Sequence, residues 1–187
     1  MRTLLAIPLI AVTFAAATPT YAGSLAGVTL PDSTSVGGKT LVLNGLGLRS
    51  KLFIKIYVGG LYVETKSVDA AALIAADAPK KLVMHFLYAP SKAQMTDAFH
   101  EGFEGNAPAY FAQHRAEVDR FLAAVDGVGK GEEMTLTYVP ATGTTLAIRG
   151  KDVATIAGAD FMRAAFAIWL GPKPPTADLK KGLLGQS

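Results

Sequence analysis

The sequence predicts one α+β domain, an antiparallel sheet with helices packed on one face. Three observations carry that reading. Strand-like segments cluster at 39–64, 80–88 and 134–156, and helical stretches fall between and after them. No repeat, linker or low-complexity tract divides the chain.

The N-terminus is read first, because it sets the compartment. Arg2 precedes an uncharged apolar run, LLAIPLIAVTFAAA at 4–17, which breaks at Pro19 ahead of Thr20-Tyr21-Ala22. A basic start, a short apolar core and small residues at the −3 and −1 positions describe a cleavable export signal. The run is shorter than the roughly 20 residues a membrane span needs. Residues 1–22 are therefore expected to be removed after Ala22, leaving one domain over 23–187, periplasmic or secreted and not stably inserted in a membrane.

With no cysteine in the sequence, disulfides, thiolate metal sites, a catalytic thiol and lipobox acylation are all excluded. A domain of this size buries enough apolar surface to be stable by its core alone. The net charge of +3 includes Arg2, and the lysines are scattered. Such a distribution serves solubility and does not predict nucleic-acid binding.

Within the first β cluster, Leu41-Val42-Leu43 is followed by Asn44-Gly45, a hairpin signal, and then by LGLRSK and the long run LFIKIYVGGLYVE. Gly59-Gly60 predicts a bulge or bend in that run. Asp69 is expected to cap a short helix, AAALIAA, before KKLVMHFLY at 80–88 returns as a strand. Ser91 caps a helix reaching about residue 104, and Pro108 opens a second long one that places Phe111, Val118, Phe121, Leu122 and Val125 on one face. Strands at 134–139, 144–149 and 152–156 follow, joined by turns at 140–143 and 150–151. A helix at 160–170 stops at Gly171-Pro172, and a shorter one near 177–183 closes the chain.

Three separated stretches, LNGLGLRSKLFIKIYVGGLYVE at 43–64, APSKAQMTDAFHEGFEGN at 89–106 and TIAGADFMRAAFAIWLGPKPPTADLKKGLLG at 155–185, resemble the bacterial chalcone isomerase-like family in order and spacing. The resemblance spans nearly the whole exported part. It implies the open-faced β-sandwich of that superfamily, a large curved antiparallel sheet carrying a helical layer, with a ligand cleft between them. One fold hosts isomerases, fatty-acid binders and members without known activity, so the site must decide the function.

By resemblance, the arginine that stabilises charge in the isomerases matches Arg49, within Gly-x-Gly-x-Arg. The threonine that holds an active-site water matches Tyr57, a tyrosine also in the fatty-acid-binding relatives, where it joins the arginine on a carboxylate. The catalytic tyrosine and asparagine of the isomerases match Met95 and Gly102, neither of which offers a side-chain hydrogen bond. A one-residue slip in that helix would bring Gln94, Thr96 or His100 into the comparison.

Arg49 and Tyr57, joined by Lys55 at the same strand parity, are the candidate ligand-binding residues. Arginine suits a carboxylate because its planar fork pairs bidentately and stays charged when buried. The bland alternatives are a surface arginine on a hairpin, a plain strand aromatic and a snorkelling edge lysine. Spacing adds a condition: eight residues on one straight strand span about 26 Å, so Arg49 and Tyr57 meet only if the chain reverses between Ser50 and Ile54.

Other constellations predict less. His85, His100 and His114 lack metal-ligand spacing, and no metal or other cofactor is expected. Asp97, His100 and Glu101 read as a solvated helix face, or as an acid/base cluster. The glycines of NGLGLR sit in a β context with no following helix, which excludes a phosphate loop. Phe166 and Trp169 read as core, or as a wall of the cleft. Two main functions remain open: a non-catalytic binder of a fatty acid or similar lipophilic anion, and an intramolecular lyase of the chalcone isomerase type. A third is an envelope protein with a vestigial cleft. No oligomeric state follows from the sequence.

Overall fold

Seven strands form one curled antiparallel sheet in the order in which the chain makes them. They are β3 (Ser33–Val36), β4 (Lys39–Lys51), β5 (Ile54–Val63), β6 (Lys80–Phe86), β7 (Glu133–Val139), β8 (Gly143–Ile148) and β9 (Lys151–Ile156). A separate hairpin of β1 (Tyr21–Leu25) and β2 (Val28–Pro31) precedes them. These are the elements of a computed structural model that describes residues 21–186, so the apolar run at 4–17 lies outside the described residues.

The helices enter as insertions into this meander. α1 (Ala70–Ala75) joins β5 to β6, while α2 (Lys92–Asn106), α3 (Pro108–Gln113) and α4 (Arg115–Ala124) join β6 to β7. α5 (Ala159–Leu170) and α6 (Ala177–Leu183) follow the last strand. Three of the six starts are set by side-chain caps, those at Asp69 and Ser91 as expected. Asp69 accepts the Ala72 N–H, Ser91 and Gln94 close a reciprocal capping box, and Thr176 accepts the Leu179 N–H.

Alternation in β5 explains the layering. Tyr57, Leu61 and Val63 point into the main core beneath the helices, whereas Val58 and Tyr62 point into a second core on the opposite face. That second core is closed by Val28 and Leu30 of β2 and by Val36 of β3. Helices cover one face as predicted, but the β1–β2 hairpin, which the sequence did not reveal, covers part of the other.

Three local expectations are corrected. Asn44-Gly45 makes no turn: β4 runs on through it with a register shift, and the reversal falls at Leu52-Phe53. Asn44 is instead buried, donating to the Ser67 and Leu183 carbonyls and accepting from the Ser67 N–H. Gly59-Gly60 carries no bulge; both residues sit in continuous register with β4 and β6. They are small because their neighbours are close, a Cβ on Gly60 falling 2.4 Å from Leu30 Cδ1. Finally, the long helix after Pro108 is broken at His114, whose ring stacks 4.3 Å from that of Tyr110. Phe111, Val118, Phe121, Leu122 and Val125 are all buried, so the predicted apolar face survives the break.

The glycines of NGLG have their own structural reason. A Cβ on Gly45 would lie 2.1 Å from the Gly182 carbonyl oxygen, and one on Gly47 would lie 2.3 Å from that of Leu179. Backbone-to-backbone approach of α6 onto β4 requires both. This packing closes the sheet beside the segment that carries Arg49.

Candidate ligand site

The β4–β5 hairpin meets the condition that the spacing imposed. Because the chain reverses at Leu52-Phe53, Arg49 and Tyr57 become direct cross-strand partners. The Arg49 guanidinium carbon stands 5.7 Å from the centroid of the Tyr57 ring. Tyr57 is almost wholly buried, its ring tilted against Phe86 at 5.4 Å.

A third residue completes the cluster from the far end of the chain. Trp169, in the last turn of α5, donates its indole N–H to the Tyr57 hydroxyl at 2.8 Å. Since indole is a donor only, the tyrosine oxygen accepts and its own hydrogen is left to give. Among the described residues no acceptor takes that hydrogen, and Arg49 has no ion pair, its polar neighbour being the Tyr57 phenol itself. Burial pushes the Tyr57 pKa above its ordinary 10, opposed by the Arg49 charge and by hydrogen bonding from Trp169 and Arg49. The phenol therefore stays protonated near neutral pH.

These groups face a cavity of about 380 Å³ between the hairpin, α2, the end of α5 and the segment 173–175. Met84, Met95, Phe99, Ile168 and Trp169 form its apolar walls. Ser50, Lys51, Glu101 and Lys173 contribute polar atoms alongside Arg49 and Tyr57. The size falls at the small end of the range for small-molecule sites. A fork of guanidinium N–H groups and one phenolic O–H beside an apolar chamber is suited to holding an oxyanion whose remainder is hydrophobic.

A family model described as chalcone isomerase-like matches residues 22–185. The chain belongs to the chalcone isomerase-like family. Among solved structures, an Arabidopsis thaliana fatty-acid binding protein shares the fold at a TM-score of 0.65 and 16% identity, over 84% of this chain and 92% of that one. A comparison with curated proteins finds no match.

Met95 and Gly102, which the sequence resemblance matches to the donors of the isomerases, both stand at the cavity. Met95 is buried and lines the cavity. Gly102 also lines it, but a Cβ there would fall 2.6 Å from Ile168 Cγ2, so the space an asparagine side chain needs is taken. The neighbours do not substitute for them: Gln94 is committed to the α2 cap, Thr96 lies off the cavity, and His100 packs edge-on to Phe111.

Lys55 does not line the cavity. The register with β4 shifts between the Arg49–Tyr57 and Ser50–Lys55 pairs, which interrupts the alternation that put Lys55 on the face of Tyr57, and Lys55 is exposed near the turn. The three histidines are apart, His85 beside Glu133 and His114 beside Glu117, and no metal-binding group occurs among the described residues. Phe166 is core, whereas Trp169 is both wall and hydrogen-bond donor. Lys173 was not singled out in the sequence, and Glu101 was named only with Asp97 and His100 on one helix face; of those three, Glu101 alone lines the cavity.

Proposed function

We propose that this chalcone isomerase-like protein binds a fatty acid or similar amphiphilic carboxylate. In this reading Arg49 pairs with the carboxylate through its fork and Tyr57 adds a hydrogen bond, while the hydrocarbon lies against Met84, Met95, Phe99 and Ile168. The carrying observation is the uncommitted hydroxyl hydrogen of Tyr57 beside an Arg49 that has no carboxylate partner among the described residues, with Trp169 donating to the phenol oxygen. The structural likeness to a protein described as fatty-acid binding supports the same reading. No cofactor is needed.

Cyclisation of a chalcone asks for donors at positions 95 and 102, and losing one such donor costs on the order of 10²-fold in rate. Met95 and Gly102 supply none. The binder is therefore preferred to the intramolecular lyase.

Trp169 is the single tryptophan of the chain, so its fluorescence reports on the site directly. Titration with a long-chain fatty acid is expected to give a saturable change at one site; no change, with no heat on calorimetry, rejects the binder. Incubation with a chalcone is expected to yield flavanone only at the solution rate. A stereoselective product formed in proportion to protein would put the lyase in its place.

Export belongs to the same proposal. The β1–β2 register shifts at Ala22, and the pairs from Gly23 onward lie downstream of the predicted cleavage. Mass analysis of protein recovered from the periplasm or medium is expected to find Gly23 as the first residue. Met1 retained in a membrane fraction would replace the exported reading with an anchored one.

A further inference from the structure

The turn between β4 and β5 is built against ordinary hairpin preference. With Lys51 paired to Ile54, the two-residue loop is Leu52-Phe53, and Leu52 holds a φ of 56°. Two-residue hairpins with a positive φ at the first loop position favour glycine there. A leucine in that conformation is strained, and its side chain has no packing in return: Leu52 is 88% exposed and Phe53 fully so. Ile54 is half exposed beside them. Three large apolar residues in succession on a projecting tip are otherwise a liability.

Charge indicates what covers them. The segment 49–55 contains Arg49, Lys51 and Lys55 and no acidic residue. Lys51 and Lys55 flank the apolar tip, both exposed, and Lys173 lines the same cavity as Lys51, as does the acidic Glu101. Apolar residues ringed by lysines match a surface that is negative outside and hydrocarbon inside, with the lysine ammonium groups at headgroup level. The same lysines oppose tip-to-tip docking of two copies, because like charges would meet. No described helix is long and apolar enough to cross a membrane, so such an attachment would be peripheral.

We infer that Leu52-Phe53-Ile54 docks this protein on an anionic lipid bilayer by dipping the hairpin tip into the interface. Ser50 and Lys51 line the cavity immediately behind the tip, so docking brings the cavity edge to the headgroups. A lipid carboxylate then passes between bilayer and site without crossing open water. That last step rests on the fatty-acid reading; the docking itself does not.

The test compares the full exported chain with Leu52→Gly/Phe53→Ser, which gives the turn the residues that its backbone prefers and leaves the core untouched. Sedimentation with vesicles of equimolar phosphatidylglycerol and phosphatidylcholine is expected to retain the wild type. Retention should fall in high salt and on pure phosphatidylcholine vesicles. The variant should bind at least tenfold more weakly while melting no lower and still taking up fatty acid from solution. Equal retention of both proteins, or none of either, overturns the docking. So does a wild-type dimer that becomes monomeric in the variant, because the tip would then face a second copy. Failure of the solution titration with vesicle binding intact would count against the fatty-acid reading alone.

Discussion

Arg49, Tyr57 and Trp169 divide one task into separable parts. Arg49 supplies charge and geometry but has no committed partner among the described residues beyond Tyr57. Arg49→Ala should therefore weaken fatty-acid binding by about 1.5–3 kcal/mol, roughly ten- to a hundredfold, while lowering stability by no more than about 1 kcal/mol. Arg49→Lys should recover only part of the affinity, since an ammonium keeps the charge and loses the fork. Tyr57→Phe should differ in kind: it removes a ligand donor and also leaves the buried Trp169 N–H without its acceptor, costing about 1–3 kcal/mol of stability as well. Calorimetric titration and a thermal melt of each variant separate the cases. Unchanged affinity in the alanine variant would refute the anchor, and a collapsed melt would make Arg49 structural.

Between elements, the crossing of α2 over α5 decides what the cavity can hold. Gly102 lets the helices approach until Ile168 occupies the place of a side chain at 102. Gly102→Asn, which would place there the amide that the sequence resemblance matches to this position, is expected to overpack this contact and lower stability by about 1–3 kcal/mol without creating activity. Because the cost arises from one contact, Gly102→Asn combined with Ile168→Ala should cost less than the sum of the two single changes. Chemical denaturation of the four proteins in the cycle tests this; strict additivity would mean that Ile168 is not the obstacle. At the other end of the sheet, buried Lys80 donates to the Leu73 and Ala76 carbonyls, closing the C-terminus of α1 by a contact from the following strand.

For the whole molecule, the buried ionisable groups set a pH window. Burial is the leading cause in each case, raising Tyr57, Tyr62 and Tyr138 above 10, the last two to about 12, and raising Tyr110 as well. A phenol that resists ionisation only when folded contributes stability that is complete below pH 10 and is lost as pH climbs through its folded value. Lys80 has the opposite sign: burial lowers it to about 8, so its contribution is present above 10.5 and is lost as pH falls through 8. Four tyrosines against one lysine predict that the melting temperature falls steeply between pH 10 and 12, with most of the phenol absorbance change appearing only on unfolding. Melts across that range, followed by tyrosine absorbance, check it. Phenols that titrate together near pH 10 in the folded protein would overturn it.

The sequence by itself determined the parts that depend on neighbours along the chain. Asp69, Ser91 and the 177–183 helix were legible because a cap acts within one turn, and β5 through β9 were legible because their runs are long and alternate or are wholly apolar. β1 to β3 were not, being four or five residues long, and Ser33–Val36 has little apolar signal. Only the tertiary structure decided that Asn44-Gly45 continues a strand, because the partners that recruit it are Ser67, Gly182 and Leu183. The site divides in the same way. Arg49 and Tyr57 were named as residues, and Lys55 with them, but strand parity does not foresee the register shift between Tyr57 and Lys55, and Lys55 fell outside the cavity. Trp169 lies 112 positions from the hydroxyl it holds, a pairing that no local pattern encodes because it exists only once the end of α5 is packed against the sheet.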